Sequence, residues 1–371
     1  MILTQCAVCA TELGLTLGKK CGRCSTRYCG AACQEQHWKE GGHDKLCKPI
    51  KKAGGAEQYN ANKKYAESVG AAAEACAEDT KGQTCYICTE AIHRRTKEGL
   101  VRMCACRGTA GFAHVSCLAE QAKLLCDEAE DNNLSLNERW ARWYTCGLCE
   151  QDYHGVVSCA LGWACWKTYV GRPETDSPRM NAIRQLGNGL CAAGHHEDAL
   201  SVQAAQLSME RRLGASEESL LITQENFANS YGRLGRLEEA LLMQQGVYSG
   251  RVKLHGEEHF TTLIAAYNYA SSLVVLGRFE ETKVLLRKTI PMARRVLGEC
   301  HDITIKMRWI YGGALYQDPG ATFDDLREAV TTLEDTVQIA RRVLGGAHPL
   351  VSDIEYELRG AQAALRACEA T

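Results

Sequence analysis

Sixteen of the chain's 21 cysteines fall within residues 1–149, mostly in pairs separated by one to three residues. The first block runs Cys6-x2-Cys9, Cys21-x2-Cys24, Cys29-x3-Cys33 and His43-x3-Cys47; the second runs Cys85-x2-Cys88, Cys104-x-Cys106, His114-x2-Cys117 and Cys146-x2-Cys149. Each block offers eight thiol or imidazole donors in four pairs, the number that two closed tetrahedral zinc sites require. A short turn places two thiolates within ~2.3 Å of a common ion, and four protein donors leave no position for water. The expectation is four structural Zn²⁺ per chain rather than a catalytic metal. A redox dithiol would not need four pairs in series. Disulfides need an oxidising compartment, but MILTQCAVCA has neither a basic n-region nor an apolar h-region. Reduced thiols and a soluble cytoplasmic or nuclear protein are therefore expected.

Metal must hold the first block together, because fewer than 50 residues cannot build a core of their own. Structural zinc is worth roughly 10–16 kcal/mol apparent in small fingers, enough to replace that core. Residues 1–49 and 85–150 are read as the two fingers, joined by a linker over 50–84 that is poor in large apolar residues. Its Ala-rich middle has helix propensity but little to bury. A connecting segment, 151–174, contains GVVSCALGWACW, the most apolar run in the chain. Its 12 residues fall short of the roughly 18 that a membrane helix needs, so no membrane partner is expected. Cys76, Cys126, Cys159 and Cys165 lie outside the paired pattern and read as core residues.

From 175 to 371 the texture changes to helix formers, and the sequence repeats. Gly214, Gly256 and Gly298 are each 42 residues apart, and Gly345 follows 47 later. NFANSYGRLGRLEEALLM matches NYASSLVVLGRFEETKVLL, with Asn226 and Asn268 in register. Each unit reads as helix, Gly-containing turn, helix; a lone two-helix unit cannot bury its apolar face, so the copies must stack. The fold class expected is mainly α, two small cross-brace zinc fingers followed by a helical solenoid. Forty-three Lys and Arg against 45 Asp and Glu leave a net charge of −2. Residues 1–50 carry seven basic and four acidic residues; seven thiolates and two Zn²⁺ cancel that excess, so no nucleic-acid partner is expected.

Several wordings resemble known families. The first block, with YCGAACQEQHW, resembles a MYND zinc finger. That resemblance implies one ion on Cys6, Cys9, Cys29 and Cys33 and another on Cys21, Cys24, His43 and Cys47. A longer gap after Trp38 leaves His37 as a competitor for the place of His43. MYND fingers bind short peptides, and Gln34 and Trp38 match the positions used; packing against the metal core is the other reading of Trp38. In the second block, the seven residues between Cys106 and His114, with CYICTE and CACRGTAGFAHVSCL, resemble a RING-CH domain rather than a PHD finger. The resemblance implies Cys85, Cys88, His114 and Cys117 on one ion, with Cys104, Cys106, Cys146 and Cys149 on the other. It also implies a ubiquitin ligase that contacts its conjugating enzyme through Ile87 and Leu118. Two positions depart from the family: Gln121 replaces a frequent Trp, and Glu150 a frequent basic residue. Trp140 and Trp143 either take over or belong to the core. The repeats resemble tetratricopeptide repeats of the kinesin light chain type, which implies ligand contacts from Asn226 and Asn268 or, alternatively, packing. A ligase whose other modules hold substrate, or a scaffold that binds proteins through all three, both fit this sequence.

Overall fold

The computed structural model describes residues 5–370 apart from 12, 14–16 and 347. The chain divides into two compact units, Met1–Ala215 and Ser216–Thr371, and is mainly α-helical.

In the first unit, strands β1 (Lys19–Lys20) and β2 (Arg27–Tyr28) pair antiparallel, with Lys19 opposite Tyr28. Helices α1 (Ala31–Lys39), α2 (His43–Lys52) and α3 (Ala56–Ala75) follow. After a loop region come α4 (Val115–Asp131), α5 (Leu136–Trp140) with a 3-10 turn at Ala141–Trp143, α6 (Gly155–Tyr169), α7 (Ser177–Ala192) and α8 (His196–Arg212). The apolar run at 155–166 becomes α6, the centre of this unit. Eleven of its 15 residues are buried, on every side of the helix. A helix apolar all round must be enclosed by protein or lipid, and here α3, α4 and α7 enclose it. No helix among the described residues is long and apolar enough to cross a membrane.

Closeness of α6 to α7 rests on two glycines. A Cβ on Gly189 would lie 2.6 Å from the Ser158 carbonyl oxygen, and one on Gly162 would lie 3.1 Å from that of Gln185. On the other side α3 presents small residues, burying Ala61, Val69 and Ala72. Gln58 of α3 donates to the Lys167 carbonyl at 3.0 Å, and the Lys167 ammonium sits 4.1 Å above the Tyr65 ring. The stretch expected to have little to bury thus packs through alanines, which let the backbones approach. Cys76, Cys126, Cys159 and Cys165 are all buried in this core.

The second unit is a succession of helix pairs: α9 (Glu217–Arg233) with α10 (Leu237–His255), α11 (Phe260–Val275) with α12 (Phe279–Val296), α13 (Asp302–Gln317) with α14 (Phe323–Leu344), then α15 (Pro349–Glu369). The first helices of successive pairs, α11, α13 and α15, also touch one another, as stacking requires. Leu263, Leu286, Ile305, Leu333 and Ile354 form its core. Gly256 and Gly298 end helices at φ 85° and 93°, backbone that a side chain would strain, which accounts for their recurrence. Three histidines recur for a different reason. The Nδ1 atoms of His259, His301 and His348 accept from the backbone N–H of Thr261, Ile303 and Leu350 at 3.3, 3.2 and 3.2 Å, capping α11, α13 and α15.

Candidate metal centres

One local structure recurs four times. In each C-x2-C pair the first cysteine's carbonyl accepts from the residue four later: Ala10, Ser25, Thr89 and Glu150, at 3.2, 2.9, 2.8 and 3.0 Å. Those four residues all adopt left-handed backbone, at φ 56°, 62°, 64° and 57°. In the second block the turn also aims backbone N–H groups at sulfur, with Ile87 N 3.4 Å from Cys85 Sγ and Leu148 N 3.5 Å from Cys146 Sγ. Helices supply three of the four partner pairs, and Cys104 and Cys106 lie in a loop. Cys29 and Cys33 flank the start of α1, and His43 and Cys47 lie one turn apart on α2. His114 is the N-cap of α4, and Cys117 follows in its first turn. Spacings of three or four residues put both donors on one helix face.

The structure brings these pairs together into four groups: Cys6, Cys9, Cys29 and Cys33; Cys21, Cys24, His43 and Cys47; Cys85, Cys88, His114 and Cys117; Cys104, Cys106, Cys146 and Cys149. Within each, the donor atoms all lie within 4.8 Å of one another. Four sulfurs at ~2.3 Å from a tetrahedral zinc would be about 3.8 Å apart. The sulfur separations are 3.5 Å for Cys9–Cys29, 3.7 Å for Cys106–Cys146 and 3.9 Å for Cys21–Cys47. The donor sets therefore fit a metal ion. Imidazole nitrogens join in the same way: His43 Nε2 is 3.4 Å from Cys24 Sγ, and His114 Nδ1 is 3.3 Å from Cys88 Sγ. The far side of His114, Nε2, faces the Ala91 carbonyl at 3.4 Å, the kind of contact that fixes a ligand's tautomer.

Electrostatics follow from crowding thiols around one point. The Thr11 hydroxyl lowers Cys9 to about 6, while Cys29 beside it pushes Cys33 up to about 12. Backbone N–H of Gln151 lowers Cys149 to about 7, whereas burial pushes Cys106 up to about 11. Full deprotonation of such a group needs a cation at its centre.

His43, not His37, completes the second group. The His37 Nδ1 instead pairs with the Tyr28 hydroxyl at 3.0 Å, and its ring lies tilted 4.9 Å from that of His43. Trp38 is 46% exposed with its ring 5.7 Å from that of His43, and Gln34 is half-buried. Trp38 therefore packs on the metal site and still presents surface. In the second block Ile87 is 36% exposed, but Leu118 is only 4% exposed. The expected contact at Leu118 is corrected accordingly: that side chain faces inward from the first turn of α4 into the shared core. Leu148, 52% exposed in the Cys146–Cys149 turn, was not singled out from sequence. It adjoins Gly147, where a Cβ would be 3.9 Å from the Tyr86 hydroxyl, so the Tyr86 side chain reaches this turn. Trp140 and Trp143 are core residues, buried with ring centroids 5.3 and 5.8 Å from Tyr169. Neither replaces the Trp absent at the half-buried Gln121.

Two further residues hold the Cys104–His114 strap. Arg102 donates to both Asp79 carboxylate oxygens at 2.8 and 2.6 Å and to the Gly108 carbonyl at 2.7 Å, with its guanidinium 4.2 Å above Phe112. Glu98 accepts from Ser116 N at 2.8 Å, capping α4 because His114, at the N-cap, is turned to the thiols. In the second unit the Asn268 amide donates to Glu225 at 2.6 Å, a helix-to-helix bond, and Asn226 is half-buried.

Comparison with known proteins follows this geometry. Residues 6–47 match the family model of the MYND finger, and 85–136 that of the RING-variant domain. The two cysteine blocks are thus each similar to one of these families. The second match ends before Cys146 and Cys149, which the structure nonetheless joins to Cys104 and Cys106. Residues 220–261 match a tetratricopeptide repeat. A search of curated proteins finds no match. Among solved structures, a Podosopora anserina putative kinesin light chain with nearly identical TPR-like repeats is similar at 19% identity and TM-score 0.42, over 62% of this chain and 97% of that one. BtubC (BKLC) from P. vanneervenii is similar at 13% identity and TM-score 0.42, over 69% and 88%.

Proposed function

We propose that the chain binds four structural Zn²⁺ and acts as a RING-type ubiquitin ligase, with the MYND finger and the repeats holding substrate or partner proteins. The zinc ions lock the second block; they offer no open position and take no part in bond making. Catalysis is by positioning: a ubiquitin-charged conjugating enzyme rests on the block so that its thioester meets a substrate lysine. The observation that carries the reading is the pair of complete donor groups whose turns each expose an apolar side chain, Ile87 and Leu148. Gln34 and Trp38 of the MYND finger, and Asn226 of the repeats, are the proposed peptide contacts; Asn268 serves mainly to hold Glu225. The protein works in the cytoplasm or nucleus.

A non-enzymatic scaffold is the second reading. It is favoured by Gln121 and Glu150 and by the burial of Trp140 and Trp143, which leaves the conjugating-enzyme surface without an exposed tryptophan. Autoubiquitination by the zinc-loaded full chain against a panel of conjugating enzymes separates the two. The full chain is needed because α3 and α7 complete the core around α6. Activity that Ile87→Ala and Leu148→Ala each reduce at least about tenfold, with zinc content unchanged, supports the ligase. Absence of activity with every conjugating enzyme establishes the scaffold. Metal analysis should return four zinc per chain, and a value of two would mean that one finger is misread.

A further inference from the structure

The near-zero charge balance of residues 1–50 stops short of Lys51, Lys52, Lys63 and Lys64, which add positive charge just beyond them. Lys39 pairs with Glu35, and Lys64 with Glu67 at 2.9 Å, leaving Lys63 a loose 3.9 Å from that same carboxylate. By contrast Lys45, Lys48, Lys51 and Lys52, all exposed on α2, have no acidic partner among the described residues. The buried face of α2 is His43, Cys47 and Ile50. Lys45, Lys48 and Lys52 therefore line up at i, i+3 and i+7 on the outer face. Lys51 and Lys52 also complement the helix's negative end, but Lys45 and Lys48 lie beyond the reach of that effect.

Where α2 meets α3 there is an open cleft of about 490 Å³, lined by Pro49, Lys52, Ala53, Tyr59, Asn62 and Lys63. Its floor is apolar, from Pro49, Ala53 and the half-buried Tyr59. Lys52 and Lys63 come from opposite helices. The Asn62 Oδ1 is taken by Gln58 at 3.3 Å, which leaves the NH2 of Asn62 to donate. No carboxylate lines the cleft. A recess with donors on both walls, an apolar floor and an excess of positive charge complements a side chain that is anionic on a chain that is partly apolar.

We propose that this cleft, separate from the α1 surface bearing Gln34 and Trp38, binds an acidic peptide segment, with a carboxylate between Lys52 and Lys63 and further acids along Lys48 and Lys45. Charge complementarity selects the anion. The floor selects peptide over nucleic acid: single strands need aromatic faces on which bases stack, and the one aromatic here, Tyr59, is packed into the finger's core. The site does not depend on ubiquitin transfer, so binding here and ligase activity fail or succeed independently.

Fluorescence anisotropy of a short, fluorescein-labelled, glutamate-rich peptide against the zinc-loaded full chain tests the proposal. Lys52→Glu and Lys63→Glu should each weaken binding about tenfold, since reversal replaces an attraction with a repulsion. Added salt should weaken it further. Lys81→Glu, a cation outside the cleft, should change nothing, and all variants should keep wild-type zinc content and helicity. Equal loss in all three variants, or no measurable peptide binding, overturns the proposal. Tighter binding of a labelled single-stranded DNA that depends on Lys52 and Lys63 overturns it in favour of a nucleic-acid site.

Discussion

Gly189→Ala is a small change whose cost the structure specifies. Gly189 lies in the interior of α7, and its added Cβ would meet α6 backbone: the Ser158 carbonyl oxygen at 2.6 Å and the Cys159 Cα at 3.1 Å. Neither atom belongs to a flexible side chain, so the helices must part by most of an ångström along their closest line. Overpacking of this kind costs typically ~1–3 kcal/mol, and a clash against backbone belongs at the upper end. Replacing a helical Gly by Ala returns ~1 kcal/mol through backbone entropy. The net is a destabilisation of about 2 kcal/mol. Gly70, inside α3 of the same unit, provides the control, because nothing lies within 4 Å of its added Cβ; Gly70→Ala should stabilise by ~1 kcal/mol. Four of the chain's six tryptophans, Trp140, Trp143, Trp163 and Trp166, sit in the core around α6, so tryptophan fluorescence in a urea titration reports this unit. Free zinc must be buffered at one value, since metal binding to the folded state adds to apparent stability. The same core contains Cys85, Cys117 and Cys146, so Gly189→Ala should also hasten zinc release to a chelator. Equal midpoints for Gly189→Ala and Gly70→Ala would refute the close crossing of α6 and α7.

Other expectations concern caps, charge and metal. His301→Ala should lower the stability of the second unit by ~1 kcal/mol, and His301→Asn, which can still accept from Ile303 N, should restore most of it; thermal unfolding measures both. Burial holds the Glu225 carboxyl above its usual value, against the opposing pull of Arg251 and Asn268. The folded state thus favours the protonated form, and stability from this group is present at low pH and lost as pH rises through the raised value. Glu225→Gln should therefore match wild type at low pH and gain on it above the ordinary glutamate range, and a parallel pH dependence of the two proteins would exclude this role. Asp79→Ala should free Arg102 and loosen the Cys104–His114 strap, seen as faster hydrogen exchange at residues 106–111 with zinc still bound. Chelation should abolish the compact fold of the first finger, read by loss of protection at residues 19–52, because metal stands in for its core; persistence of that protection without metal would contradict the zinc reading.

Much of the site was legible because its chemistry is local. Two donors on a tight turn, or one helical turn apart, must be close whatever the rest of the chain does, so spacing named the donors that the structure gathers into four groups, with only His43 left in competition with His37. The repeat register, too, is a local property, since a turn glycine and a capping side chain recur wherever the helix must end. What depends on packing between distant segments was not legible. Leu118 and Ile87 look alike as apolar neighbours of ligands, yet one faces the core and the other solvent, according to what covers α4. The run at 155–166 is apolar enough to need enclosure, but that α3, α4 and α7 supply it depends on alanines and glycines whose value lies in the approach they permit. The charge sum for the first finger stopped at residue 50 and so left out Lys52 and Lys63. Lys52 and Lys63 act together only because α2 and α3 fold back on each other, and that meeting is a property of the tertiary structure.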